Sequence, residues 1–311
     1  MQIIDAHHHF WNLSANRHPW LVDDEPIAFR YGDYAAIAHD FLPADLRRLA
    51  AQAGLSLIGS VAMEGETDPS EPVREAHWMD ALAREHGLPD AHAAQIWLDR
   101  DDLAQVLAET ESIALVRSVR HKPRACPTPA AAAANAALPG SMRCPRWRAG
   151  YELLARSRLH FELQTPWWHL PDAVPLAERH PGTLIIVNHT GLPADRSHEG
   201  LLAWECAMRR LAVLPNVRIK ISGLGVRNPD GRSARWPVTQ NIEIVRRTIE
   251  IFGPHRIMFA SNFPVDSLAA DYATIWSTFE QATRDFDRAE RHAMFVGTAN
   301  ACYQLGIAPG C

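Results

Sequence analysis

Residues 3–11 of this 311-residue chain read IIDAHHHFW. His7 and His9 are two apart, so on a strand their imidazoles point to the same side. Two imidazoles on one face can hold one divalent metal or polarise one substrate carbonyl. His8 has the opposite parity and belongs with the helix layer. Asp5 shares the face of His7 and His9 one step deeper, where it can hold a histidine or a neighbouring strand. A third histidine, His189, closes the run LIIVNH and must emerge where that strand ends. It either converges with His7 and His9 or is a buried histidine bonded to a backbone carbonyl.

Other polar groups stand at the ends of apolar runs. Glu64 follows SLIGSVAM, and Arg120 and His121 close ALVRSVRH. Arg120 suits a substrate carboxylate or carbonyl oxygen, because a guanidinium matches such oxygens with a planar set of donors. Gln164 can position substrate, and Trp168 and Trp236 can wall a pocket. Lys220, inside VRIKISGL, is costly to bury unless paired. It either faces an interior carboxylate and the site or snorkels outward between helices. Asn262 and Asp266 follow the last apolar run.

The elements that must carry these residues alternate. Candidate strands are 2–7, 56–63, 91–98, 114–120, 159–165, 183–189, 216–222 and 256–261. They are short and nearly continuously apolar, as strands covered on both faces are. Helical patterns fall at 43–53, 72–86, 147–157, 172–178, 200–214, 239–252, 267–282 and 288–303. Eight strands alternating with helices predict a single-domain α/β fold, a (β/α)8 barrel spanning 1–311. An open doubly wound sheet is the alternative, but no GxGxxG follows the first strand. Long connections at 10–42 and 121–150, and an Arg-, Gly- and Pro-rich one at 223–237, suit the strand C-terminal face where barrels build their sites.

Composition narrows the class. Hydrophobic residues are 47% and charged residues 22%, with a formal net charge of -5. No basic run suits nucleic acid, and no apolar stretch is long enough to span a membrane. No signal peptide is visible, and the five cysteines form no CxxC pair, so a reducing cytoplasm is the expected home. The expected partner is a small-molecule substrate, and barrels of this size often form homo-oligomers.

The segments IDAHHHFW, HPWL, FLPADLRRL, SVRH, WRAGYELLARSRLHFELQT, LIIVNHTGLP, VRIKISGL and RIMFASNFPVD together resemble the amidohydrolase superfamily. Within it the resemblance is to the lactonase branch, which includes fuconolactonase, rhamnonolactonase and pyrone-dicarboxylate lactonase types. It implies the barrel and hydrolysis of a cyclic ester, from sugar-acid or aromatic catabolism. His7 and His9 match the HxH of the first strand, His189 the later histidine, and Arg120 a position that often meets substrate. One position departs: where the family pattern carries an aspartate, in a GSDWP-like motif, this chain has Asn262 in ASNFP.

That aspartate is the family's usual base, and a metal ligand where a metal is present. An amide neither titrates near neutral pH nor ligates as well as a carboxylate. Asn262 is therefore expected to orient water or substrate. Glu64, Asp266 or a neutral histidine among His7, His9 and His189 replaces the base. Asp266 has an alternative role as cap of a helix starting near Ser267. Zinc or another divalent metal on His7, His9 and His189 is one version of the site, and metal-free catalysis is the other. The same superfamily permits decarboxylases and hydratases, and the loss of the aspartate permits a non-catalytic barrel that binds a small ligand.

Overall fold

The structure is a computed structural model and describes residues 1–23, 26–134 and 138–308; Cys311 lies outside the described residues. Eight parallel strands run in sequence order around a barrel: β1 (Gln2–His9), β2 (Ser56–Met63), β3 (Ala91–Gln95), β4 (Val116–His121), β5 (His160–Leu163), β6 (Ile185–Val187), β7 (Val217–Ile221) and β10 (Ile257–Phe259). A two-stranded hairpin, β8 (Val226–Arg227) and β9 (Ala234–Arg235), rises between β7 and β10. The barrel is the expected (β/α)8 architecture.

The strands form because short aliphatic runs are buried on both sides. Ile185, Ile186 and Val187 of β6 are fully buried, as are Ile257, Met258 and Phe259 of β10. The helices begin on recognisable signals. Pro43 opens the helix Pro43–Gln52, with the Asp45 carboxylate accepting from Leu42 N–H. Ser197 and Asp271 cap His198–Ala212 and Tyr272–Ala282 through Gly200 N–H and Thr274 N–H. The capping role expected of Asp266 therefore belongs to Asp271. Leu103–Ser112 is a further helix that the sequence reading does not place, although Leu103, Val106, Leu107 and Thr110 recur at helical spacing and are buried.

Two hydrogen bonds join the first strand to the segment after the last. Asn262 N–H donates to His7 C=O and His9 N–H donates to Phe263 C=O, both at 2.7 Å. The buried Asp5 carboxylate adds a third tie, accepting from Ser261 N–H at 2.9 Å and from the Tyr272 hydroxyl at 3.0 Å. Asp5 holds a neighbouring strand end and also accepts from His7 N–H at 3.4 Å. These ties fix the register of His7 and His9 against Asn262, although some 250 residues separate them in the chain.

Candidate active site

The C-terminal rim of the barrel brings His9, Glu64, Arg120, Gln164, His189 and Asn262 together around one cleft, with Trp20, Phe29, Arg30, Glu66 and Lys122. An adjoining cavity of about 360 Å³ shares Trp20, Glu64, Glu66, Arg120 and Lys122 and adds Gln95 and Trp97. Parity divides the first strand as expected. His9 faces the cleft and His7 lies just beneath it. His8 packs against Phe10 on the other side, with ring centroids 4.4 Å apart.

The His9 ring is fixed by one contact. Its Nδ1 lies 3.0 Å from the backbone oxygen of Glu64. A carbonyl oxygen can only accept, so Nδ1 carries the hydrogen and the neutral ring keeps its lone pair on Nε2. Burial, followed by the repulsion of Arg120 and Lys122, holds the His9 pKa well below the usual histidine value, so the ring is neutral near pH 7. His189 shares a 3.0 Å hydrogen bond between its Nδ1 and Ser222 Oγ. Its backbone is left-handed, at φ 52°, as is that of Asn262, at φ 56°. Asparagine and histidine both enter that region more readily than most residues. The turn so formed points both side chains back over the barrel mouth.

His7 lies between the other two histidines, with ring centroids 5.4 Å from His9 and 4.5 Å from His189. It is fully buried, and neither ring nitrogen has a partner. A neutral imidazole always carries one N–H, so the ring is left with an unmet donor facing its neighbours. Burial, then the charges of His189 and Lys220, push its pKa well below the ordinary value.

Asn262 is oriented by Asp266. Its Nδ2 donates to Asp266 Oδ1 at 2.7 Å, and the Tyr31 hydroxyl donates to the same oxygen at 2.8 Å. Arg30 Nη2 stands 3.4 Å away. With Nδ2 committed, the amide oxygen is the atom Asn262 has left for the cleft. Asp266 itself is fully buried behind Asn262 and does not line the cleft. Glu64 lines the cleft, but both its oxygens are engaged: Oε1 by Arg120 Nε and Oε2 by Glu66 N–H. Arg120 also donates to Glu64 C=O at 2.9 Å and to Gln164 Oε1 at 3.1 Å.

Four other residues expected at the site lie elsewhere. Lys220 is fully buried in the barrel interior, where Nζ meets Glu162 Oε1 at 3.0 Å. Glu162 also accepts from Asn188, Ser118 and Tyr303, so Lys220 belongs to a core network beneath the site. His121 points into the layer outside the barrel, its Nδ1 accepting from Leu98 N–H and Trp147 Nε1–H. Trp236 donates to Thr278 Oγ1 and packs against Phe279 among the outer helices. Trp168 walls a neighbouring cavity rather than the cleft. Sequence reading also missed Lys122, Arg30 and Trp20. Lys122 was findable: it stands two residues beyond Arg120 and shares its parity. Arg30 and Trp20 arrive on the long 10–42 connection, which carries no periodicity.

The three histidines are not arranged as a metal site. Among the described residues, no three His, Cys, Asp or Glu side chains are arranged to hold an ion. The carboxylates nearby are each bound to a cation of the protein: Glu64 to Arg120, Glu66 to Lys122 and Asp266 to Arg30.

Comparison with known proteins agrees with this architecture. The amidohydrolase family model Amidohydro_2 matches residues 4–305. The chain belongs to the amidohydrolase family. It is 37% identical over 306 residues to the uncharacterised protein y4mH of Sinorhizobium fredii, covering 97% of this chain and 98% of that one. It is 31% identical over 309 residues to an L-fucono-1,5-lactonase of Burkholderia multivorans, covering 97% of this chain and 96% of the lactonase. A crystallised amidohydrolase of Burkholderia multivorans, solved with HEPES, superposes with a TM-score of 0.75 at 26% identity, over 98% of this chain and 99% of that one. The same bacterial target has been solved with zinc.

Proposed function

We propose that this amidohydrolase opens a lactone by attack of water on the ring carbonyl, with His9 as general base and no resident metal. The observation that carries the reading is the fixed tautomer of His9: Nδ1–H is committed to Glu64 C=O, and the ring lines the cleft with Nε2 free to accept. Water held between His9 Nε2 and the amide oxygen of Asn262 gives its proton to Nε2 as its oxygen bonds to the carbonyl carbon. Arg120 and Lys122 line the same cleft and offer positive charge to the oxyanion that develops on the carbonyl oxygen. The imidazolium of His9 then returns the proton to the ring oxygen as the C–O bond breaks, giving a hydroxy acid. His7 and His189 wall the base from below and the side. Neighbouring cations weaken His9 as a base, and the same cations stabilise the oxyanion.

The 31% identity to a fuconolactonase supports the lactone class. The zinc of the crystallised relative is set against the donor set here, where an amide and ion-paired carboxylates surround the histidines. A panel of sugar-acid and unsaturated lactones, followed by proton release, tests the reading. Turnover that disappears in His9→Ala and survives dialysis against a chelator is expected. Turnover that is unchanged in His9→Ala overturns the assignment of the base.

Asn262 favours one second reading, a barrel that binds a lactone or hydroxy acid without converting it. Binding of such compounds without proton release by the wild-type protein would establish it.

A further inference from the structure

A second cavity, of about 280 Å³, lies beside the cleft and is lined by Arg30, Tyr31, Trp168, Leu192, Arg196 and Arg227 among others. Arg196 stands out in it. Its Nη2 donates to Leu224 C=O at 3.0 Å. Its Nε and Nη1 are both withdrawn from solvent and have no hydrogen-bond partner. Among the described residues no carboxylate pairs with it. A guanidinium with N–H donors out of water and unmet is a costly arrangement, and proteins normally offset it with an anion.

The surroundings make the deficit larger. Burial pulls the Arg196 pKa down to about 10; Tyr31 opposes that fall, and the repulsion of Arg235 and Arg30 adds to it. Arg227 is tied to Gly231 C=O, a neutral acceptor. The Asp266 carboxylate, which pairs with Arg30, already accepts from Asn262, Tyr31 and Arg30 through Oδ1. The rest of the wall is apolar, including Trp168, Leu192 and Pro166. A positively charged chamber with a flat apolar wall suits a carboxylate carried on a ring or short carbon skeleton.

The chamber and the cleft meet at Arg30, which lines both. Gly223 marks the junction. A Cβ at that position would lie 2.6 Å from His189 Nδ1 and 2.8 Å from Arg30 Nη2, so only glycine lets the two approach.

We propose that Arg196 binds a carboxylate of the substrate itself, so that the lactone is an acidic one whose ring lies at His9 while its carboxylate reaches past Arg30 into the second chamber. This rests on the lactonase reading for the ring, but not for the anion site. Arg196 is a binding residue here and takes no part in the proton transfers.

Two measurements test it separately. Calorimetric titration with benzoate and its neutral isostere benzamide reads the anion site alone. Benzoate is expected to bind wild-type protein and His9→Ala equally, and benzamide not to bind. Arg196→Met should weaken benzoate on the order of 10- to 100-fold, the usual worth of hydrogen bonds to a charged group. Arg196→Met should shift the melting temperature little, because the lost bond to Leu224 C=O is offset by removal of two unmet donors. Absence of benzoate binding, or equal binding by Arg196→Met, overturns the proposal. The second measurement compares a carboxylate-bearing lactone with its amide-capped form. Arg196→Met is expected to raise KM for the acid by a similar factor and to leave the capped form unchanged. An equal loss on both would make Arg196 structural and overturn the proposal. If benzoate binds through Arg196 and no lactone turns over, the lactonase reading falls and the carboxylate site stands.

Discussion

Replacing Asn262 by aspartate restores the residue type that the family pattern carries, and the structure predicts that doing so harms the protein. Asn262 Nδ2 donates to Asp266 Oδ1 at 2.7 Å, with both side chains buried. In Asn262→Asp two carboxylates face each other at that distance. If both are ionised, their repulsion at an effective dielectric of 20 is about 6 kcal/mol. If the pair instead holds one proton, taking it up at pH 7 against an ordinary aspartate pKa costs about 4 kcal/mol. The smaller cost wins, so the pair is singly protonated at pH 7. The folded form then binds more protons than the unfolded form, and stability falls as pH rises, by about 1.4 kcal/mol per unit. The fall ends near pH 8, where proton uptake and repulsion cost about the same. Melting temperature measured from pH 5 to 9 reads this directly. Asn262→Asp should melt on the order of 10 °C below wild type at pH 7, with the gap widening toward pH 8. The double variant Asn262→Asp with Asp266→Asn should close the gap, because it reverses the pair and restores the donor. An Asn262→Asp protein as stable as wild type at every pH would refute the Asn262–Asp266 contact and the orientation of the amide drawn from it.

Further expectations concern other groups. His9→Gln should lower kcat by on the order of 10²- to 10⁴-fold with a smaller change in KM, measured by proton release; a pure KM effect would make His9 a binding group. Wild-type kcat/KM should hold its value as pH falls through 6.5, because burial keeps His9 neutral there; a midpoint at or above 6.5 would contradict that burial. Arg120→Met leaves Glu64 buried without its partner and should lose about 3–5 kcal/mol of stability, read as a fall in melting temperature. Glu75, pushed up to about 8 by burial and then by Glu64, stays protonated in the folded protein at pH 7. Its folded pKa exceeds its unfolded one, so stability declines as pH rises from about 4.5 to about 8. Glu75→Gln keeps the acceptor for Gly65 N–H and should flatten that decline; an unchanged slope would mean that Glu75 is ionised.

The sequence by itself determined the barrel and one half of the site. Eight short aliphatic runs spaced by helical patterns leave few ways to bury their faces. A period of two on the first strand separates His7 and His9 from His8 without any coordinates. The amide at position 262 was equally plain, since residue type is read directly. Tertiary structure decided which polar groups meet. Lys220 was open to an interior carboxylate or an outward path and Glu64 stood at a strand end; Lys220 sits in the core against Glu162 while Glu64 lines the cleft. The difference lies in which rung of the barrel each occupies, and that depends on strand stagger rather than on local pattern. Asp266 looked like a helix cap and instead sets the amide of Asn262, because the helix begins later, at Asp271. Arg30 and Trp20 reach the cleft on an irregular connection, where no periodicity tells where a side chain points. The lone pair of His9 and the unmet donors of Arg196 are the furthest from the sequence. The first depends on a single backbone oxygen, of Glu64, and the second on a fold that buries Nε and Nη1 with no acceptor beside them.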